Sequence, residues 1–228
     1  MSYTEIKISD LPSKGIYYKK DAFIKVRALT DYEQSVLKSM KSESLSEQIK
    51  KLEFAMLSVE TNLDEFDFCY TDVFYIYYIL CKLTYPEILV DLDGEGYECA
   101  INEKDFFMTN PKFKSEQDLF FEECNIKFKL PTMYNMSKAY KNILKHSNTK
   151  KSQSEIERFA LVPYMQREKI SDKALEFINE HLNTFSDDQI SRMRKFLNDK
   201  ENVVLGQKMK IFDGLEDREV LINLGQLV

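Results

Sequence analysis

Thr71-Asp72-Val73-Phe74-Tyr75-Ile76-Tyr77-Tyr78-Ile79-Leu80-Cys81-Lys82-Leu83-Thr84-Tyr85-Pro86 decides the architecture. From Asp72 to Leu83 the residues are apolar on nearly every side, a pattern that suits a helix only when all its faces are covered. Tyr70 or Thr71 starts it and Tyr85-Pro86 ends it. The run Val73 to Leu83 falls far short of the ~18 residues of a membrane span and carries Lys82. A buried central helix, with no membrane partner, is the expectation.

Upstream, Asn62 to Tyr70 is an acidic and aromatic link. Before it, Leu45, Ile49, Leu52, Met56 and Val59 recur at helical steps, with Ser44-Leu45-Ser46-Glu47 as the cap. Thr30-Asp31-Tyr32-Glu33 is a capping box that predicts a short helix to about Met40. Phe23 to Leu29 alternates apolar and charged positions as a half-buried strand does. Residues Ser9 to Tyr18, containing Leu11-Pro12-Ser13-Lys14-Gly15, read as an exposed ordered loop, because Pro fixes one φ and Gly frees another.

Downstream, Glu87 to Leu92 and Tyr97 to Ile101 flank Asp93-Gly94-Glu95-Gly96, the turn chemistry of a β-hairpin. Asn125 to Leu130 alternates again and is expected to join that hairpin as a third strand. Helices follow at about Asn135 to Lys145, Ser154 to Met165, Asp172 to Asn183 and Asp187 to Asn198. Ser186 to Gln189 caps the last, and Ile190, Met193, Phe196 and Leu197 form its stripe. His146 to Lys151 is the expected mobile loop or lobe boundary. Val203 to Phe212 and Val220 to Leu224 read as short strands around Asp213-Gly214. The predicted fold class is α+β, mostly helical, with a central hairpin or small antiparallel sheet and short C-terminal strands. It divides into an N-terminal lobe over residues 1–130 and a helical lobe over residues 131–228, or forms one continuous domain.

With 6 Gly and 5 Pro in 228 residues, collagen-like, low-complexity and turn-rich all-β chains are excluded. Met1 to Asp10 has no basic start followed by an apolar core, so no secretory signal is expected and the cytosol is the expected compartment. Cys69, Cys81, Cys99 and Cys124 lie too far apart for a Cys-x-x-Cys metal turn, and they read as buried thiols. Asp91, Asp93 and Glu95 alternate as in a calcium loop, but Asn102 stands where a bidentate Glu is needed. His146 and His181 lack a nucleophile-elbow context, and no phosphate-cradling glycine motif occurs. The reading is non-enzymatic, with no catalytic residue, cofactor or metal.

The net charge of −6 conceals an asymmetry. Ser58 to Cys124 holds 16 acidic and 4 basic residues, whereas Asn125 to Ile170 holds 10 basic and 3 acidic. Either the two segments dock on partners or they neutralise each other within the chain. The segment from Lys127 to Lys169 interleaves basic residues with Tyr134, Tyr140 and Tyr164, which would suit nucleic acid. The acidic total disfavours that reading, and Lys138, Lys141 and Lys145 at helical spacing also describe a solvated face.

The order of elements resembles baseplate hub assembly proteins of contractile-tailed, T-even-like phages. Three stretches carry the resemblance: Leu11-Pro12-Ser13-Lys14-Gly15 with the strand Lys25 to Thr30 and Glu33; Phe66 to Pro86 before a hairpin; and Leu130-Pro131-Thr132. Many relatives place Cys-x-x-Cys pairs in hairpins; here the only hairpin cysteine is Cys99, so no zinc site is carried over. The resemblance implies a late phage protein, made in the host cytoplasm, that helps build the tail baseplate hub. It would act as an assembly factor or as a retained structural subunit, with other tail or hub proteins as partners. Oligomeric state is left open. The expected partner-binding residues are Leu11, Pro12, Ser13, Lys14, Gly15, Tyr17, Tyr18 and Arg27, on a loop that loses little entropy on docking.

Overall fold

A computed structural model of the chain describes residues 2–40, 45–64, 67–85, 87–92, 95–100, 106–108, 111–145, 153–201, 205–212 and 217–223. The fold is α+β, with small antiparallel sheets set around helices. The central element is α3 (Tyr70–Thr84), and no residue of it from Tyr70 to Lys82 is exposed. Its all-round apolar sequence is thus matched by all-round cover.

In front of α3 lie β1 (Thr4–Ile6), β2 (Ile24–Val26), α1 (Asp31–Ser39), α2 (Leu45–Ala55) and β3 (Val59–Thr61). The three strands form one antiparallel sheet in the order β1-β2-β3. The Thr30 capping box forms as its sequence dictates, with the Glu33 amide on Thr30 Oγ1 at 3.3 Å and the Thr30 amide on the Glu33 carboxylate at 2.8 Å. The strand expected over Phe23 to Leu29 is confined to Ile24–Val26. The second helix stops at Ala55, and Val59 belongs to β3 and not to the helical stripe. Pairing opposite the fully buried Val26 outweighs helical propensity at a β-branched residue. The cap expected at Ser44 lies outside the described residues.

After α3 comes the hairpin β4 (Glu87–Leu92) and β5 (Glu95–Ala100), with Leu92 opposite Glu95. The second strand therefore begins at Glu95, inside the stretch expected to be turn, and Asp93 and Gly94 lie outside the described residues. Next are β6 (Phe106–Met108), β7 (Phe120–Phe121) and β8 (Ile126–Lys127). β8 does not extend the β4-β5 hairpin as expected; it pairs with β7. The cause is local. A 3-10 turn at Glu122–Cys124 ends on Asn125 in the left-handed region at φ 53°, which folds the chain straight back.

The C-terminal half supplies α4 (Met133–Lys145), α5 (Gln153–Leu161), α6 (Asp172–Leu182) and α7 (Asp187–Glu201), close to the predicted spans. Ser186 and Gln189 form the expected box at the head of α7, and Ile190, Met193 and Leu197 are its buried stripe. The terminal strands β9 (Leu205–Phe212) and β10 (Asp217–Asn223) pair with each other, and β9 also takes β6. His146 to Lys151 falls outside the described residues. Among the described residues no helix is long and apolar enough to cross a membrane.

The buried apolar side chains form two clusters. One gathers Leu11, Ile24, Val26, Ile49, Leu52, Val73, Ile76 and Leu80, and reaches Met133. The other gathers Phe113, Leu119, Phe128, Leu130, Leu161, Ile170, Leu182 and the α7 stripe, and reaches back to Cys69. Residues 113–130 therefore pack with the helical half.

Candidate docking site

The loop that the sequence presents as exposed is largely buried. Leu11 and Ser13 have no exposed surface, Pro12 is buried, and only Lys14 of the Leu11–Gly15 stretch is exposed. The reason lies 59 residues away, at Asp72 in the first turn of α3. Asp72 is fully buried, and a carboxyl group removed from water needs donors. The loop supplies three: the Ser13 amide at 2.7 Å, the Ser13 hydroxyl at 2.6 Å and the Tyr18 hydroxyl at 2.5 Å. Ser13 Oγ in turn accepts from the Gly15 amide at 3.0 Å, and Tyr18 Oη accepts from the Cys69 amide at 3.0 Å. Sequence order hides this network, because nothing in either local pattern names the other.

The same loop touches both clusters. Leu11 belongs to the first, Ile16 and Tyr17 pack against the second, and Tyr18 packs against both. Tyr17 Oη accepts from the Leu130 amide at 3.3 Å, while the Arg167 guanidinium lies 4.2 Å over its ring. Arg167 also donates to the backbone oxygen of Asp67 and to Cys69 Sγ. Buried Asn135 holds the turn that carries Arg167: its side-chain amide donates to the carbonyls of Gln166, Arg167 and Glu168, and its oxygen accepts from the Ile170 amide. Sequence reasoning missed both Asn135 and Arg167.

Arg27 is engaged elsewhere. It grips Glu33 through two 2.8 Å bonds, joining the end of β2 to the α1 capping box. Those bonds hold the Glu33 carboxyl down at about 2 against the opposing effect of burial. The predicted set thus splits into a fastened loop and a separate structural pair.

The electrostatics describe a fastening. Burial raises the Asp72 pKa, opposed by the Ser13 and Tyr18 hydrogen bonds, and burial followed by the Asp72 charge pushes the Cys69 thiol up to about 12. A thiol held protonated is a poor nucleophile or metal ligand. Among the described residues no group of three or more His, Cys, Asp or Glu side chains could hold a metal ion. His181 packs edge-on against Phe185. Basic groups of the 127–169 segment are engaged within the chain: Lys127 and Lys129 with Glu116, Lys138 with Asp172, and Arg158 with Asp187. The Glu116 pairs join the acidic and basic segments directly.

Beside this fastening an apolar groove of about 440 Å³ opens to solvent. Phe68 just before α3, Val73 in the first turn of α3, and Met133 and Tyr134 from the start of α4 meet β3 and the Met56–Ser58 turn there. Leu57 on that turn is 69% exposed at the groove. An exposed large aliphatic beside an apolar recess is what a docking surface offers.

No protein-family model matches this chain, and neither the curated proteins nor the solved structures contain a match.

Proposed function

We propose that the chain is a non-enzymatic assembly protein of a contractile phage tail baseplate hub, acting by binding another tail protein. One observation supports the reading above the rest: parts of the three stretches that carry the resemblance to that family, the loop from Leu11, the start of α3 and Leu130 to Thr132, meet at one place. Ser13 binds Asp72, Tyr17 accepts from Leu130, the Tyr70 amide donates to the Pro131 carbonyl at 2.9 Å, and Cys69 bridges to Thr132. Segments far apart in sequence thus serve one structural purpose, as expected if the resemblance concerns a folded unit. The loop's part in such a protein is to fasten the scaffold, and the groove beside it is the open surface.

The test is co-expression of the tagged full chain with hub and tape-measure proteins of a T-even-like phage. One of them is expected to co-purify in fixed stoichiometry; capture of none overturns the assignment. Mass spectrometry of purified virions then separates the two forms of the reading. Absence from virions identifies a factor that leaves, and presence a retained structural subunit.

A further inference from the structure

The groove has one wall unlike the others, the open edge of a sheet. β3 pairs with β2 on one side only, and no strand covers its other side among the described residues. The register and the Arg27 amide to Ser58 carbonyl bond make Lys25 and Glu60 a hydrogen-bonded pair. By the alternation of an antiparallel ladder, Val59 and Thr61 then aim their free backbone groups away from β2. The Val59 amide is taken by the Met56 carbonyl. The Val59 carbonyl and the Thr61 amide and carbonyl have no partner among the described residues. Val59 and Thr61 also line the groove, so the unpaired edge and the apolar recess belong to one surface.

We infer that this edge and groove receive an extended segment of a partner protein, added antiparallel to β3. Its alternate side chains are apolar, and a Lys or Arg lies beside them. Each part of that description answers a feature of the surface. Three outward backbone groups at a strand edge are matched by another strand, which returns an amide and a carbonyl at every second residue. A helix has no free mid-chain groups to return. The recess, floored by Phe68 and Val73, takes the residues that point inward, and exposed Leu57 covers them. Among the described residues Glu53 is the one charged residue lining the groove, and it is exposed with no ion pair, which selects a cation on the incoming segment. The inference rests on the protein-binding reading above and names the chemistry of the partner.

The experiment uses the full chain to select from a displayed library of random ten-residue peptides, followed by fluorescence anisotropy on the selected sequences. Selected peptides are expected to alternate apolar residues and to carry a Lys or Arg. Methylating alternate peptide amides, those facing β3, should weaken binding at least about tenfold, while methylating the intervening amides should leave it within about twofold. Glu53→Lys and Leu57→Asp alter exposed side chains, so their melting temperatures should match the parent. Each should weaken binding about tenfold or more. Binding unaffected by both substitutions overturns the site, and binding indifferent to which amides are methylated overturns the strand geometry. A library that yields no alternating binder overturns the inference, as does a parent that sediments as a dimer and becomes monomeric with Leu57→Asp, since the occupant would then be a second copy. Tail-protein capture separates this result from the function. Capture undiminished by Leu57→Asp with Glu53→Lys removes the groove and keeps the assembly role; peptide binding with no tail protein captured does the reverse.

Discussion

Asp72 shows how much one buried group can organise. Its three donors all come from one loop, so Asp72→Ala strands the Ser13 hydroxyl and amide and the Tyr18 hydroxyl together in a dry site. Unpaired buried donors are worth more than the mean hydrogen bond, and a loss of about 2 to 4 kcal/mol in urea unfolding is expected. Ser13→Ala, which leaves the Tyr18 bond in place, should lose less. The Arg27–Glu33 pair makes a different prediction. The folded Glu33 pKa is depressed to about 2 from its ordinary 4.5. Its contribution is therefore present above about pH 4.5 and lost as pH falls toward 2. Discounted for solvent screening, that loss is about 1 to 2 kcal/mol. Arg27→Met should shrink this part of the acid dependence, read as the difference between parent and variant urea midpoints at pH 5.5 and 3. Asp72, raised by burial, acts with the opposite sign in the parent and cancels in that difference. The sequence shows Glu33 as a capping residue from its spacing alone. It shows Asp72 only as an acid near a helix start, because the donors that define its role arrive from another part of the chain.

Among elements, signals carried by near neighbours predict most helices, with the end of α2 an exception, and distant pairings stay hidden from them. The capping boxes at Thr30 and Ser186, the all-apolar α3 and the stripe of α7 depend on neighbours within four residues, and all formed as expected. The pairing of β8 with β7 and of β6 with β9 depends on which strands meet, which alternation does not specify. The Leu11–Gly15 turn combines both cases. Pro and Gly mark a turn, and a turn forms there, but turn chemistry says nothing of what covers it. Gly15 sits at φ 68°, and a Cβ there would clash with Ile8 Cγ2. Gly15→Ala should therefore destabilise by about 1 to 3 kcal/mol, from left-handed strain together with the clash. Lys14 also has a positive φ, 54°, with an exposed side chain. Lys14→Gly should be neutral or slightly stabilising, since it relieves strain and removes no packing. Thermal melts of the two variants would check both directions.

At the scale of the molecule the loop is a staple between two cores, and neither core is complete without it. Deleting residues 1–20 removes Leu11, the donors of Asp72 and the ring beneath Arg167 in one step. The truncated chain should lose cooperative unfolding and bind a hydrophobic dye, whereas the full chain should melt in one transition seen alike by near- and far-ultraviolet circular dichroism. The opposed charges of the acidic and basic segments were legible as a sum, and the Glu116 pairs show that part of that sum is spent internally. The Tyr17 contact also sets an order of events during synthesis. Tyr17 is made before its Leu130 partner, which follows 113 residues later, on the order of ten seconds at ~5 to 20 residues per second. Asp72 is made 59 residues after Ser13, so only in the second part of that interval can the nascent chain engage Asp72 while the Tyr17 hydroxyl waits for Leu130. The outer face of the loop, Tyr17 included, is thus an aromatic surface against which the helical half packs once its residues are made.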